Sequence, residues 1–301
     1  MEFNLNESLL GKKASTPERY DASLLFSIPR SENRIKYDLY DNNLPFTGYD
    51  VWNCYEVSFL TDNGLPVAGM LKLAYPAAST YMVESKSLKL YLNSFNMERL
   101  GATIEQAQNE FISIVQTDLR NLLQTEAVEA QLFTEGEGSG VVKPFADSEY
   151  KTLVELVDTQ ELLSWKFRHF YETPELLAGT ETSVIHTYAF RTDMLRSNCR
   201  VTNQPDWGDL FVKMETRYDV DMISVIKYLV SFRKENHFHE EVVEMIYKRF
   251  QDKFKPGKLM VAAMYTRRGG IDINPVRSND LTWIKPAFTD INLRMQKTLR
   301  Q

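Results

Sequence analysis

Tyr91 to Asn96 reads YLNSFN, and Tyr228 to Arg233 reads YLVSFR. A hexapeptide used in both halves of one chain marks an internal repeat, one supersecondary plan laid down a second time. The surroundings repeat as well. An Asn-Cys pair precedes each copy, Asn53-Cys54 and Asn198-Cys199, so that Cys54 stands in a position like that of Cys199. An amphipathic helix pattern follows each copy. In the first half Thr103 and Gln106 form a capping-box signature, with Ile104, Ala107, Phe111, Ile114, Val115 and Leu122 on one helical face. In the second, Phe238, Val242, Val243, Ile246 and Phe250 recur at helical spacing through FHEEVVEMIYKRF. Strand-type alternation precedes both motifs, as Val67, Gly69, Leu71, Leu73 and as Leu210, Val212, Met214. Val184, His186, Tyr188 and Phe190 alternate too, and KLMVAAMYTRRGG ends a further strand. The chain reads as two α+β units of similar plan.

Between the halves, residues 134–150 read TEGEGSGVVKPFADSEY, the composition of a flexible connector. This divides the chain into a module over 1–133, a linker over 134–150 and a module over 151–301. The GEGSG inside the linker lacks the spacing and the strand-helix setting of a dinucleotide loop, and reads as linker.

With 43% hydrophobic residues over 301 positions the chain can bury a large core. A formal charge of −6 and a pI near 5.4 argue against direct nucleic-acid binding, which needs a net basic face. No signal-peptide pattern and no long uncharged apolar run is present, so a cytoplasmic protein away from membranes is expected. The two cysteines are expected as free thiols, and each, without context, reads as a small buried apolar residue. His169, His186, His237 and His239 show no metal spacing with cysteine, and His237 and His239, two apart, would point to different faces of a helix; no metal is assigned.

Four stretches carry chemistry. In SNCRVTNQPDWGD (197–209), Arg196 and Arg200 flank Cys199, and nearby cations favour the nucleophilic thiolate. Asp206, beside Pro205 and Trp207, reads either as a turn residue or as a desolvated general acid. In ESKSLKLY (84–91), Lys86 and Lys89 diverge on a strand but converge on a helix, where they suit a phosphate; a solvated charged face is the alternative. In HFHEE, Glu240 or Glu241 either caps a helix or accepts the paired donors of a guanine edge, with His239 as a proton carrier beside it. In YTRRGGIDINPVRS (265–278), Arg267 and Arg268 before two glycines suit a phosphorylated cofactor or an ordinary turn.

Taken in order, ESKSLKLYLNSF, SNC…QPDWG, YLVSFR…FHE and YTRRGGIDINP resemble the NADPH-dependent 7-cyano-7-deazaguanine reductases of queuosine (tRNA modification) biosynthesis, in their longer, two-module form. The resemblance covers most of the chain. It implies an α+β fold of tandem tunnelling-fold units, antiparallel sheets backed by helices, and a homodimer whose barrels close across subunits. It implies reduction of the nitrile of 7-cyano-7-deazaguanine to 7-aminomethyl-7-deazaguanine by two NADPH, without a metal. Cys199 would form a covalent thioimide, Asp206 would supply a proton and His239 would lie near the reacting nitrogen. Glu240 would grip the guanine edge and Glu84 with Ser85 would complete the substrate pocket. Lys86, Lys89, Arg268, Gly269 and, less directly, Arg267 would hold NADPH. Cys54 lacks the downstream Gln-Pro-Asp-Trp and is expected to be inert. A metal-dependent cyclohydrolase lacks its ligand set here, a thiol redox protein lacks a resolving cysteine, and a non-catalytic purine-binding module leaves the thiol and its acid without a role.

Overall fold

The computed structural model describes residues 19–134, 141–145, 149–298 and 301. In the first half, strands β1 (Thr47–Leu60) and β2 (Pro66–Pro76) form a hairpin, followed by helices α1 (Ser85–Ser94) and α2 (Ile104–Leu123) and strand β3 (Glu129–Phe133). In the second, β4 (Gly179–Cys199) and β5 (Pro205–Val220) form a longer hairpin, followed by α3 (Met222–Val230), the two-residue β6 (Asn236–His237), α4 (His239–Phe254), β7 (Lys258–Tyr265) and β8 (Ile271–Ser278).

The repeat holds down to individual hydrogen bonds. Glu84 caps α1 by accepting from the Lys86 and Ser87 amides, and Asp221 caps α3 by accepting from Ile223 and Ser224. Ser87 and Ser224 each donate back to the carbonyl of their cap residue, at 2.7 and 2.6 Å. Both hexapeptides end their helix in the same way. Ser94 and Ser231 bond the carbonyls of Tyr91 and Tyr228, both at 2.6 Å, and Phe95 and Phe232 pack edge-on against those tyrosines at 5.3 and 5.4 Å. All four aromatic side chains are fully buried, which is why the motif survives in both copies.

The halves are not separate globules. Eight residue pairs from Ile271–Cys54 to Ser278–Thr47 join β8 to β1, giving one nine-stranded sheet: eight strands run in the order β6-β4-β5-β7-β8-β1-β2-β3, and the two-residue strand Lys151–Thr152 pairs with β4 off that path. One face carries the helices in two cores. The first-half core packs Phe111, Val115, Leu119 and Leu123 of α2 against Phe59, Leu71 and Leu73, and the second packs Val242, Val243, Ile246 and Phe250 of α4 against Leu210, Val212 and Met214. The α2 stripe is rotated from the sequence expectation: Leu119 and Leu123 are fully buried, Ile104 is half-exposed, and Ile114 and Leu122 pack at the margin. The opposite face of the sheet, including Val51, Met260 and Val276, is covered by Phe145, Trp283, Phe288 and Met295. The end of the expected flexible connector is therefore packed: Val141–Val142 pairs with Arg294–Met295, and Phe145 stacks on Phe211 at 4.1 Å. The GEGSG segment lies outside the described residues.

A buried ion network ties α4 to both halves. Asp50 on β1 accepts from Arg30 at 2.5 Å and Arg277 at 2.8 Å, and Glu244 accepts from Arg277 and Arg34 at 2.7–3.0 Å. Burial alone would raise the Glu244 pKa, but Arg277 and Arg34 hold it down to about 2. Among the described residues no helix is long and apolar enough to cross a membrane.

Candidate active site

A cavity opens where the first half meets the second, on the helix side of the sheet. Trp52 of β1 and Ile271 and Ile273 of β8 form its apolar floor. Both modules line it, α1 from one side and the β4–β5 hairpin with the start of α4 from the other.

The hairpin sets the thiol and the carboxyl. Ser197 pairs with Asp206, and side chains alternate along a strand, so Ser197, Cys199 and Asp206 share one face. Cys199 closes the ladder, its amide donating to the Gln204 carbonyl at 2.8 Å, and Asn203 supplies the left-handed residue of the turn with φ of 55°. Cys199 lies at the cavity edge, 9% exposed, and Asp206 is 7% exposed. Asp206 is thus a strand residue and not a turn.

The same alternation overturns one expectation. Arg196, paired with Trp207 on the opposite strand, lies over that indole at 5.9 Å and donates to the Arg233 carbonyl. Arg200 is ion-paired to Glu241 at 2.9 Å and to Glu32 at 3.7 Å. Neither guanidinium is given over to the thiol, because an odd step along the strand sends Arg196 to the other face.

Asp206 Oδ1 accepts from Arg268 at 2.5 Å and Oδ2 lies 3.4 Å from His239 Nε2. The His239 ring stacks on Tyr265 with centroids 3.9 Å apart and the ring planes nearly parallel at 5°. Gly208 permits this: a Cβ there would meet the Tyr265 ring at 3.0 Å. His239 Nδ1 is buried without a hydrogen-bond partner, so one polar position of the ring is left for a ligand. Arg268 is held by a two-residue hairpin turn in which Gly269 and Gly270 have φ of 58° and 79°, the double left-handed geometry that glycine adopts freely. Its guanidinium reaches back over the β5 start and also bonds the Pro205 carbonyl at 2.6 Å.

The two glutamates separate cleanly. Glu241 is the cap, accepting from the Phe238 amide at 3.0 Å, while Glu240 lines the cavity. Glu240 is 3% exposed, and burial, then Asp50, push its pKa up to about 8 against the pull of Arg30 and Arg277. His237 and His239 are not on one helix: His237 sits in β6 opposite Cys199 and His239 is the first residue of α4. His237 lines the cavity and was not singled out from the sequence, because a two-residue strand leaves no periodic signal.

From the first module, Ser85, Lys86 and Lys89 reach the cavity, since α1 starts at Ser85 and brings the two lysines onto one side. Lys89 is ion-paired to Glu56 at 3.0 Å. Glu84 does not line the cavity: its carboxylate accepts from the α1 amides at 3.0 and 2.7 Å. Arg267 points elsewhere as well, over the Tyr55 ring at 4.8 Å with Lys297 at 4.0 Å from the same ring. The Lys86 and Lys89 side chains, Arg268 and the glycine turn together fit an anionic cofactor phosphate. Among the described residues no cluster of three or more metal-ligating side chains is found.

Cys54 is no counterpart of Cys199. Cys199 ends its strand, whereas Cys54 lies within β1, fully buried in the first-half core, and burial drives its thiol pKa strongly up. Cys54→Ala is expected to keep turnover and to lose about 1 kcal/mol of stability, the scale of a small core truncation. Thiol labelling of the native protein with iodoacetamide should mark Cys199 alone, and rapid labelling of Cys54 would contradict its burial.

The comparisons with known proteins show the family. The family described as nitrile reductase, 7-cyano-7-deazaguanine-reductase N-term, matches residues 16–132, and QueF-like protein matches residues 205–282. Two proteins named NADPH-dependent 7-cyano-7-deazaguanine reductase are 36% identical. That of Rickettsia massiliae (strain Mtu5) aligns over 94% of this chain and 97% of its own, and that of Psychrobacter cryohalolentis over 91% and 94%. A solved archaeosine synthase QueF-Like in the apo form covers 33% of this chain and 95% of its own at 17% identity, with a TM-score of 0.28, too low to carry a structural conclusion. With 36% identity over nearly the full length and both family segments in place, the chain belongs to the NADPH-dependent 7-cyano-7-deazaguanine reductases.

Proposed function

We propose that this chain reduces the nitrile of 7-cyano-7-deazaguanine to the primary amine, with Cys199 as nucleophile. The observation that carries the reading is the convergence of Cys199, Asp206, His239 and Glu240 from one module with Ser85, Lys86 and Lys89 from the other on a single apolar-floored cavity. Glu240, buried at the cavity wall, accepts the N1–H and 2-amino hydrogens of the guanine edge. That grip places the nitrile at the hairpin tip. The Cys199 sulfur adds to the electrophilic nitrile carbon, forming a C–S bond and a thioimide, while the nitrogen takes a proton from the Asp206–His239 pair. NADPH, when bound, supplies the hydride for each of the two reductions. After the first, the C–S bond breaks and Cys199 leaves as the thiolate, giving an imine. After the second, the amine is complete, with a further proton delivered to nitrogen. Lys86, Lys89 and Arg268 hold the cofactor phosphates in this reading, and the apolar floor of Trp52, Ile271 and Ile273 keeps bulk water from the thioimide.

Intact-protein mass spectrometry tests it. Protein mixed with 7-cyano-7-deazaguanine should gain one nitrile mass at Cys199 and lose it on adding NADPH. Binding without any adduct would leave a purine-binding module and remove the nitrile chemistry.

Glu240 also sets a pH dependence. In the free protein its carboxyl is held up at about 8, so it is protonated below that value and cannot accept both guanine hydrogens. Affinity for the base should therefore tighten as pH rises from 6.5 towards 8, by up to about tenfold per pH unit, and level off above. Calorimetry across that range reads it directly, and a flat profile would show that Glu240 does not change its ionisation on binding.

A further inference from the structure

Beyond that reading, and resting on Cys199 as the nucleophile, we propose that His237 is a positioning residue, an imidazolium latch that fixes the strand bearing Cys199 against the helix bearing Glu240. Four observations carry it. β6 pairs in parallel with the end of β4 so that His237 stands opposite Cys199, and neighbouring strands lie about 4.8 Å apart. Both ring nitrogens of His237 face carboxylates, Nε2 at 2.9 Å from Glu235 and Nδ1 at 3.4 Å from Glu241. A ring that donates from both nitrogens carries both protons. Glu241 is at once the latch partner, the α4 cap on the Phe238 amide and the ion-pair partner of Arg200, the residue after Cys199. Finally, Glu235 is itself anchored by the Glu172 amide at 2.9 Å, and its own amide and carbonyl bond Phe232 and Asn198.

The consequence is geometric. Glu240 follows directly on the β6–α4 junction, so the distance from the guanine-holding carboxylate to the sulfur is set by how firmly β6 is pinned. Arg200–Glu241–His237–Glu235 is a continuous run of charged hydrogen bonds across that junction. Loosening it by a fraction of an ångström leaves the base bound and moves the nitrile off the sulfur, and misplacement on the 1 Å scale costs up to about a hundredfold in rate.

The charged groups that face His237 are Glu235 and Glu241 on its nitrogens, Cys199 and Arg200 from the hairpin, Glu32 through Arg200, and the buried Tyr37 phenol behind the two glutamates. Burial alone would lower the His237 pKa, but Glu235 and Glu241 raise it from 6.5 to about 9. The sign follows. A histidine held above its ordinary value has its latch fully formed below pH 6.5 and loses it as pH rises through about 9.

His237→Gln, which keeps a hydrogen-bond donor and removes the charge, tests the latch in the full-length protein. The rate of nitrile adduct formation at pH 7 should fall by between about tenfold and a hundredfold. The dissociation constant for the base should stay nearly unchanged. The ratio of wild-type to variant adduct rate should then collapse towards one as pH passes about 9, which a purely structural loss would not show. NMR titration of the His237 ring in wild-type protein gives an independent reading, expected well above 6.5. Equal adduct rates at pH 7, or a ring that titrates at its ordinary value, overturn the latch. Absence of any adduct in the wild type would instead remove the nucleophile reading on which the latch rests, so the two failures are told apart.

Discussion

Cys199→Ala is expected to form no covalent adduct with 7-cyano-7-deazaguanine and to lose turnover by roughly 10⁴-fold or more, the scale seen when a covalent nucleophile is removed. The base itself should still bind, because Glu240 and the apolar floor are untouched. The thiol ends its strand with only 9% of its surface exposed, so the truncation removes one sulfur from a cavity edge and leaves the hairpin ladder intact. The melting temperature should stay close to that of the wild type. Intact-mass measurement after mixing with the nitrile, with and without NADPH, decides the matter. An adduct persisting in the alanine variant would place the covalent chemistry on another residue and would end the mechanism proposed above.

Asp206→Asn should slow adduct formation by between about 10² and 10⁴-fold, the usual contribution of a positioned general acid. The substitution preserves shape. An asparagine oxygen can still accept from Arg268 and the side chain can still approach His239, so the loss is confined to the proton that the nitrile nitrogen needs as the C–S bond forms. Rapid-quench mass spectrometry measures that step without involving NADPH. Unchanged adduct rates would transfer the proton donation to His239 alone, whose ring is already oriented by its stack on Tyr265. Arg268 gives this prediction a further feature. It is expected to meet a cofactor phosphate, yet here it bonds Asp206 at 2.5 Å, so the phosphate site and the proton site share one guanidinium.

The geometry also sorts apart roles that share one motif. In ESKSLKLY, Glu84 builds the helix start by capping it, and only the residues that follow, Ser85, Lys86 and Lys89, face the cavity. In YTRRGG, Arg268 is aimed at the site by the glycine turn, whereas Arg267 is turned to Tyr55. Adjacent residues on extended backbone point to opposite sides, and no motif written in letters carries that sign.

What the sequence determined by itself was the repeat, the α+β character and the family. YLNSFN and YLVSFR are legible because each buries a tyrosine and a phenylalanine and closes its helix with a serine, constraints local enough to keep their letters. Cys199, Asp206 and Glu240, proposed above as nucleophile, acid and guanine-edge carboxylate, each stand in a compact motif, and the fold brings all three to one cavity. The tertiary structure alone decided that the two modules share one sheet through β8 and β1 and that the cavity lies at their junction. It alone showed that Cys54 is core and no copy of Cys199, that Arg196 lies over Trp207 on the other face and Arg200 is ion-paired to Glu241, and that His237 stands opposite the thiol. Those outcomes depend on strand register and on pairings between residues far apart in the chain. Hydrophobic period and local capping fix which element forms, but a pairing partner is chosen by the packing of the whole sheet, and that choice leaves no mark on the neighbouring letters.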